Sequence, residues 1–399
     1  MKAKLTVGLS ALQGKLGGLC GKVIRGQQQI GRLSVPYGIS GSQPSPDQEW
    51  LRTQYAQAVN DWRQASPASK AAWDLQGNQE DISGFDWLVR SKCSAPVNRG
   101  IAWTHIQRLG AAFWIGSLAY LGQDICLAGA VPGCNIYRST DAGLSWSLAF
   151  NPGGDTDGVV VCYLVNGICL MVTGFFAQIW RSEDYGLTWT MVFLDTWDFY
   201  IADVIYLGDG VCLASSVYDS NMRRSVDFGL TWSVVQFMGT SFDRVLLCDL
   251  GDGVIIAAAS PPSQIWRSID NGVSWTIAQF IPSQQYIYSV CNLGGGVCLV
   301  GTAVLGQIWR SADYGATWTL VQRLGAAVQV GVIGYAGLGV VLAGTEHNAQ
   351  IWRSSDSGLS WVLVETLAPF DDISAFAYLG GGVLLAGSSQ TGDIFRSTS

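Results

Sequence analysis

A nine-residue motif recurs six times along this 399-residue chain at a constant spacing of 43 residues. Each copy reads Arg-Ser-x-Asp-x-Gly-x-Ser/Thr-Trp, and no insertion interrupts the array. A tandem period in the low forties is typical of a β-propeller, in which every repeat forms one four-stranded blade. The spacing therefore predicts an all-β propeller with 43-residue blades. The motif aspartates are Asp141, Asp184, Asp227, Asp270, Asp313 and Asp356.

The array also predicts how the ring closes. The motif tryptophan has a counterpart 43 residues upstream of the first copy, at Trp103, and the motif arginine has one 43 residues downstream of the last copy, at Arg396. We expect the C-terminus to supply three strands of the last blade and residues 100–109 to supply the fourth, which covers an otherwise unpaired outer edge. The inner Gly-rich turns number seven. Residues 96–399 are therefore predicted to form a seven-bladed propeller.

Within a repeat, apolar runs and Gly-rich turns predict four strands, A to D. In the third repeat, we expect strand A at 200–207, strand B at 211–216, strand C at 222–226 and strand D at 232–237. The A-to-B turns and the motif turns then lie at one end of the ring. The B-to-C and D-to-A connections lie at the other end.

The motif resembles the Asp-box, or bacterial neuraminidase repeat, found in sialidases, sortilin-type receptors, xyloglucanases and photosystem assembly factors. In that family the motif is a structural turn between strands C and D, so the resemblance implies that the six aspartates are framework residues. Physical reasoning agrees, because a turn carboxylate accepts backbone N–H bonds, and six equivalent rim sites do not converge on one substrate. A framework role is likewise expected for the repeated arginines Arg138, Arg181, Arg224, Arg267, Arg310, Arg353 and Arg396.

The charge of the chain is unevenly distributed. The net charge is −7, but residues 1–98 hold 11 Lys/Arg against 7 Asp/Glu, so the remainder carries the acidic excess. An acidic propeller is not expected to bind nucleic acid or an anionic membrane. No apolar stretch is long enough to predict insertion in a membrane.

The ten cysteines are expected to be free thiols rather than a disulfide scaffold. Several occupy repeat positions where other repeats place Ile, Val or Leu, so they behave as small buried apolar residues, and a reducing cytoplasm is the predicted site of synthesis. Bridges between Cys162 and Cys169, and between Cys291 and Cys298, remain alternatives because these pairs lie on neighbouring strands. The N-terminus carries no clear signal peptide, since polar residues interrupt its apolar run.

The first hundred residues are predicted to form a separate module. Residues 1–44 read as a Gly-rich extended arm, and residues 45–95 as a small helical module that begins with a capping box at Ser45. The stretch resembles a Gly-rich-arm and helical-pair segment of phage and prophage structural proteins. That resemblance implies that residues 1–95 anchor the chain to other copies or to other assembly subunits. It rests on Ser66, Pro67, Lys70, Trp73, Ser83, Gly84 and Phe85.

The repeats differ mainly at the end that carries the D-to-A and B-to-C connections. These segments are rich in aromatic residues flanked by carboxylates, a combination that suits sugar rings or protein side chains. A glycan or a cell-surface protein is therefore the expected ligand, and the alternative is sequence drift in loops without packing duties. The candidate binding residues are Phe113, Trp114, Phe175, Phe176, Asp195, Trp197, Asp198, Phe199, Tyr218, Phe242, Asp243, Tyr286, Phe370 and Asp371.

No catalytic residue, metal ligand or cofactor is predicted. Sialidases that resemble this fold need an arginine cluster and a Tyr-Glu pair, which this chain supplies thinly, and His105 and His347 lie on different repeats. The predicted function is that of a phage virion or surface-assembly protein, located in a virion or extracellular assembly. A glycoside hydrolase and an intracellular assembly factor of the photosystem type are the alternatives. Carboxylates that a two-Asp hydrolase could use are Asp198, Asp203, Asp243 and Asp372.

Overall fold

The chain divides into two compact units, residues 1–96 and 97–399. The computed structural model describes Lys70 and residues 99–153, 158–174, 177–195, 200–239, 242–281, 286–303, 305–325, 329–367 and 372–398. The predicted arm at 1–44 and helical module at 45–95 lie outside these residues, apart from Lys70, which is helical. No helix in the described part is long and apolar enough to cross a membrane.

In the described residues of the second unit, every regular element is a strand. In chain order, the first strands are β1 (Ala102–Arg108), β2 (Trp114–Tyr120), β3 (Cys126–Val131), β4 (Asn135–Ser139), β5 (Ser147–Phe150), β6 (Val159–Val165), β7 (Ile168–Thr173), β8 (Gln178–Ser182), β9 (Thr190–Leu194), β10 (Ile201–Gly208), β11 (Val211–Ser216), β12 (Asn221–Ser225), β13 (Ser233–Phe237) and β14 (Arg244–Gly251). The later strands are β15 (Val254–Ser260), β16 (Gln264–Ser268), β17 (Thr276–Phe280), β18 (Ile287–Gly294), β19 (Val297–Thr302), β20 (Gln307–Ser311), β21 (Thr319–Arg323), β22 (Gln329–Tyr335), β23 (Val341–Glu346), β24 (Gln350–Ser354), β25 (Val362–Thr366), β26 (Asp372–Gly380), β27 (Val383–Ser389) and β28 (Asp393–Thr398).

These strands form antiparallel meanders that follow the 43-residue repeat. Within the described residues, β6 to β25 make five four-stranded sheets of consecutive strands, and an eight-stranded sheet holds the rest. In that larger sheet, the set β26-β27-β28-β1 meets the set β2-β3-β4-β5 through one residue pair, Trp114 with Ser389. The sequence pattern predicts two separate blades there. The strands of the third repeat agree with their predicted bounds to within one residue.

The first strands of the repeats surround a central axis. Each contacts the first strands of both neighbouring repeats, and the cycle β2, β6, β10, β14, β18, β22, β26 returns to β2. The core lies between adjacent sheets, where apolar clusters join the second strand of one repeat to the first strand of the next. One such cluster contains Leu213, Val245, Ile255, Ala257 and Trp275.

The N-terminal strand β1 closes the structure as predicted. It pairs antiparallel with β28, from Ala102 opposite Thr398 to Arg108 opposite Asp393. The last repeat thus takes its outer strand from the beginning of the propeller unit, and the edge of β28 is covered.

The eight cysteines among the described residues are free thiols, as expected. The strand register shows why the two alternative bridges do not form. Cys169 lies opposite Tyr163 rather than Cys162, and Cys298 lies opposite Asn292 rather than Cys291. Neighbouring residues on a strand point to opposite faces, so the two sulfurs of each pair face away from one another. Burial raises the pKa of the Cys169 and Cys298 thiols to about 12.

The repeated arginines form a belt of hydrogen bonds from repeat to repeat. Six of the seven Nε atoms donate to the backbone carbonyl of the residue after a motif aspartate in the following repeat, and Arg353 donates to the equivalent carbonyl of Arg99. The belt continues across the seam between β28 and the start of the second unit, because Arg353 donates to Arg99 at 3.0 Å and Arg396 donates to Ala142 at 3.1 Å. The other donor–acceptor pairs are Arg138 with Tyr185, Arg181 with Phe228, Arg224 with Asn271, Arg267 with Tyr314 and Arg310 with Ser357.

The belt predicts unequal costs for two arginine substitutions. Arg267→Ala removes a part-buried bond of 2.7 Å and should lower the free energy of unfolding by about 1.5–3 kcal/mol, the range for hydrogen bonds to charged groups. Arg224→Ala removes an exposed bond of 3.2 Å and should cost below about 1 kcal/mol. Urea unfolding of both variants checks this difference, and equal losses would contradict it.

Candidate functional site

The end of the ring that carries the D-to-A and B-to-C connections is built on a uniform layer. Near its start, every first strand has an Ile or Val that pairs with a residue on the second strand. Those pairing residues are spaced 43 residues apart along the chain, so the Ile and Val residues occupy equivalent places in the repeats. All of these side chains are at most 2% exposed. The layer contains Ile115, Val159, Ile201, Val245, Ile287, Val330 and Ile373.

The residue that precedes each member of this layer differs in every neighbouring repeat. We call these seven positions the entrance ring, because they lie where the first strands begin around the axis. They include aromatic, basic, acidic, amide and glycine residues, although the next residue along the chain is always Ile or Val. The entrance ring comprises Trp114, Gly158, Tyr200, Arg244, Tyr286, Gln329 and Asp372.

One sector of the entrance ring combines a cation with aromatic rings. The Arg244 guanidinium lies over the Tyr288 ring, 4.5 Å from its centroid. The rings of Tyr286 and Tyr288 meet edge to face with centroids 6.4 Å apart. A guanidinium held over an aromatic face is oriented and still able to donate hydrogen bonds from its edge.

Glu346 brings a carboxyl group to the same sector. It ends β23, is half-buried, and accepts a hydrogen bond from the side-chain amide of Gln329. Burial and the neighbouring Asp372 raise its pKa, while Arg244 and His347 act in the opposite direction. A Cβ atom at Gly331 would lie 3.1 Å from a Glu346 carboxyl oxygen. The absence of a side chain at that position therefore leaves space for Glu346.

Asp372 is occupied by contacts within the protein. Its carboxylate accepts hydrogen bonds from Ser389 Oγ at 2.7 Å, from Gln390 Nε2 at 3.3 Å and from the backbone N–H of His347. Asp372 therefore positions the adjacent B-to-C loops. The arrangement does not present it as a free hydrolytic carboxylate.

Three B-to-C loops carry a non-glycine residue in the left-handed region at the same repeat position. Their φ angles are 66° for Tyr218, 73° for His347 and 73° for Gln390. This conformation is uncommon for residues with a side chain and is often found at functional loops. At one of these positions, the side chain of Tyr218 is 58% exposed.

Asp195 is held in an ion-pair cluster. The Arg223 guanidinium is 4% exposed, and its Nη2 donates to Asp195 at 3.0 Å and to Asp219 at 3.1 Å. The guanidinium also lies 5.4 Å from the centroid of the Phe193 ring. The two carboxylates keep partial exposure, so the cluster fixes the start of a variable connection and adds negative charge to this end.

Asp203 has a structural task between neighbouring sheets. Its carboxylate accepts the backbone N–H groups of Val204 and Leu247, both at 2.8 Å. Burial raises its pKa to about 7, although the two hydrogen bonds and Arg244 act against that rise.

The structure divides the residues that the sequence selects for binding. Phe113, Tyr218, Tyr286 and Asp243 are exposed, and Trp114 is half-buried. The prediction for Phe242 is wrong, since its side chain is 0% exposed and packs in a core cluster. Sequence patterns alone did not single out Arg244 and Tyr288, although comparing equivalent repeat positions marks Arg244 as different. Outside the described residues lie Phe175, Phe176, Trp197, Asp198, Phe199, Phe370 and Asp371.

The motif aspartates form the turns that the sequence predicts. Asp227 Oδ1 accepts the Ser225 hydroxyl at 2.7 Å and the backbone N–H of Thr231 at 2.9 Å, and its Oδ2 accepts the Thr231 hydroxyl at 2.6 Å. Burial alone would raise the pKa of this carboxyl, but the hydrogen bonds outweigh burial and bring it to about 2. The same bonding recurs in the other copies, so these carboxylates are committed to the framework.

The structure also has a groove that lies away from the entrance ring. A groove of about 360 Å³ runs along the outer edge of the first repeat, where Arg138, Trp146 and Leu148 face Leu187 of the next repeat. It lies beside the motif turns, away from the entrance ring. Among the described residues, no group of three or more His, Cys, Asp or Glu side chains is placed to hold a metal ion.

Comparison with known proteins identifies the repeat. The family model of the BNR-Asp box repeat matches residues 179–192, around the second motif copy. Together with the sheet topology, that match decides the type of fold. This chain is an Asp-box β-propeller. No curated protein sequence matches it.

Solved structures similar to this Asp-box propeller differ in what they do. YCF48 bound to D1 peptide matches with a TM-score of 0.61 and 16% identity, over 77% of this chain and 100% of that chain. The GH74 xyloglucanase from Xanthomonas campestris matches with a TM-score of 0.57 and 16% identity, over 73% of this chain and 53% of that chain. The WD40 propeller domain of Doa1 matches with a TM-score of 0.58 and 14% identity, over 74% of this chain and 97% of that chain. At such identities the likeness establishes the fold alone.

The motif turns predict acid sensitivity of this Asp-box propeller. The lowered pKa of Asp227 means that its stabilising contribution is complete above the unfolded-state value near 4 and is lost as the pH falls toward about 2. Asp227→Asn should lower the melting temperature at pH 7 and make the melting temperature less dependent on pH between 4 and 2. Thermal unfolding followed by circular dichroism measures both effects, and an unchanged pH dependence in the variant would refute the assignment.

Proposed function

We propose that this chain is a non-enzymatic recognition protein in which a closed seven-bladed propeller binds an extended peptide segment at the entrance ring. The belt and the cycle of first strands support the count of seven and the closure of the ring. A rigid ring binds with little loss of conformational freedom, since its framework is already ordered.

The contrast between two adjacent layers carries the proposal. The buried aliphatic layer is uniform around the ring, whereas the entrance ring, one residue earlier, differs from repeat to repeat. The buried position stays Ile or Val in every repeat while the position before it changes, so the variety is confined to the layer that a ligand would touch. Aromatic and Arg side chains are also the types enriched at the energetic centres of protein interfaces.

The charges of the sector favour a peptide over a neutral glycan. Arg244 and Glu346 place opposite charges near the axis, and Tyr218 and Tyr286 add exposed aromatic surface. A peptide carries amides and side chains of both signs that complement such a surface. The similar structure of YCF48 was determined bound to D1 peptide, which supports peptide binding as a use of this architecture.

Binding should depend on the exposed tyrosines of this end. Replacing Tyr218 and Tyr286 by Ser should weaken the peptides selected by the wild-type protein about tenfold or more, because aromatic anchors dominate such interfaces. Leu144→Ser is the matched control, since Leu144 is 55% exposed at a motif turn and Tyr218 is 58% exposed. Peptide-array selection followed by calorimetry gives the affinities.

The same experiment separates the alternatives. Undiminished binding by the tyrosine variant, or equal loss in the Leu144 variant, would contradict recognition at this end. Binding to a glycan array, together with no binding to the peptide array, would replace the ligand class.

A glycoside hydrolase is the second candidate. The raised pKa of the half-buried Glu346 favours it, since a protonated carboxyl group can act as a general acid, and two GH74 enzymes share the fold. Turnover of mixed β-glucans that disappears in Glu346→Gln would establish this candidate and overturn the non-enzymatic function.

We further propose that residues 1–95 anchor the propeller in a virion or another extracellular assembly. Residues 1–96 form a separate unit. Residues 1–98 hold more basic than acidic residues, whereas the rest of the chain holds more acidic than basic residues. Both features support an attachment role. Electron microscopy of the full chain should show higher-order particles, and a chain that begins at residue 97 should show isolated rings. Isolated rings from both chains would favour the intracellular assembly factor instead.

A further inference from the structure

Arg244 differs from the other arginines of the second unit in what its guanidinium contacts. Nine of the described arginines donate hydrogen bonds to a carbonyl, a hydroxyl or a carboxylate. Arg108 and Arg323 are the exposed last residues of β1 and β21. Arg244 is half-buried, and among the described residues its guanidinium faces the Tyr288 ring but has no hydrogen-bond acceptor.

The residue opposite Arg244 in the strand ladder already has its own partners. This residue is Ser260. Its hydroxyl accepts the backbone N–H of Ile287 at 2.9 Å. Its carbonyl accepts the backbone N–H of Asp243 at 2.8 Å. The nearest polar group across the strand is therefore engaged elsewhere.

Two carboxyl groups near Arg244 are also engaged elsewhere. Burial raises the pKa of Asp203 and of Glu346, and the charge of Arg244 opposes the rise in both. Asp203 accepts the backbone N–H groups of Val204 and Leu247, and Glu346 accepts the side-chain amide of Gln329. These carboxyl groups favour a cation in the sector but leave the edge of the guanidinium open to an acceptor from outside.

The strand itself brings the guanidinium to the entrance ring. At the constant 43-residue step, Arg244 stands where the neighbouring repeats have the buried Ile201 and Ile287. A guanidinium in that buried place would lose its hydration without compensation. The ladder of the fourth repeat continues from Arg244 to Val245 without a shift, whereas the neighbouring ladders shift directly after the isoleucine. Val245 therefore fills the buried layer, and Arg244 lies one residue earlier, at the rim.

An oriented guanidinium with an open edge is suited to a planar anion. Its N–H donors form a rigid fork that matches both oxygens of a carboxylate. The Tyr288 ring lies against the guanidinium face, 4.5 Å from its centre, and leaves the donor edge available. Because the fork is already held in place, little conformational freedom is lost when an anion binds.

We propose that Arg244 binds a carboxylate group of the ligand at the entrance ring. The site rests on the proposed peptide-binding function, because the carboxylate belongs to the bound peptide. It is the C-terminal carboxylate or the side chain of an Asp or Glu residue, and both present the same pair of oxygens to the guanidinium.

The charge of the propeller limits the rest of the ligand. Acidic residues outnumber basic residues in residues 99–399, and Asp243, Glu346 and Asp372 lie at the same end as Arg244. A second carboxylate on the ligand would meet these like charges, whereas basic side chains would pair with them. The expected ligand is therefore a peptide with one carboxylate among neutral or basic residues.

Peptide libraries that differ only in their carboxylates test this site on the full chain. One library has an amidated C-terminus and lacks Asp and Glu, a second restores only the C-terminal carboxylate, and a third restores only one acidic side chain. The wild-type chain should retain the second or the third library at least about tenfold better than the first, because charge-assisted bidentate bonds are the stronger ones. The library that is retained identifies the source of the carboxylate.

Substitutions assign this preference to Arg244. Arg244→Gln should abolish the preference for a carboxylate, and Arg244→Lys should keep only part of it, because lysine retains the charge but lacks the fork. Arg323→Gln is the matched control. It removes the same charge from an exposed arginine at the end of an outer strand, so the full preference should remain.

The outcomes separate the carboxylate site from peptide recognition as a whole. Equal retention of all three libraries by the wild-type chain would overturn the carboxylate site and leave peptide recognition standing. Retention of no library would contradict peptide recognition and the carboxylate site together. An undiminished preference in Arg244→Gln, or an equal loss in Arg323→Gln, would also overturn the site. The comparison on the wild-type chain holds whether or not a variant folds.

Discussion

Hydrogen bonds from one repeat to the next hold this ring together. Each framework arginine sends its Nε–H to a carbonyl of the following motif turn, and the motif carboxylate keeps that turn in place. The donor and acceptor are 47 residues apart along the chain, except for Arg353 and Arg396, whose acceptors lie 254 residues earlier across the seam. An insertion within a third strand or a motif turn would displace the arginine or its acceptor carbonyl, so these bonds constrain the spacing of strands and turns within each repeat.

The framework leaves one end of the ring available for variation. Motif turns and A-to-B turns are fixed by shared hydrogen bonds, whereas the D-to-A and B-to-C connections attach to a buried aliphatic layer and otherwise vary. Side-chain chemistry at the entrance ring can therefore change without loss of the fold. This separation is why function is sought at Arg244, Tyr288 and Glu346, while the more numerous aspartates of the motifs serve the framework.

Much of the fold follows from the repeat itself. Strand bounds, the motif turns, the free thiols and the pairing of β1 with β28 were predictable because each depends on local pattern or on the constant step. The placement of Phe242 was not predictable. In the fourth repeat the first strand starts without the bulge that interrupts its neighbours, so Val245 takes the buried position and the connection before it is one residue longer. Phe242 turns into the core as a result.

Less of the candidate site than of the fold could be predicted from the sequence. Glu346 reaches the sector because Gly331 leaves space, and Arg244 is oriented by Tyr288 of the next repeat. Such contacts join residues that are far apart in the chain, and no local pattern encodes them. The same holds for Asp372, whose partners come from two different loops.

The most direct measurement is an experimental density map of the full chain. It should show seven sheets around one axis, with residues 102–108 beside 393–398 and every framework arginine directed at the next motif turn. A different number of sheets, or a β1 strand paired elsewhere, would contradict the account.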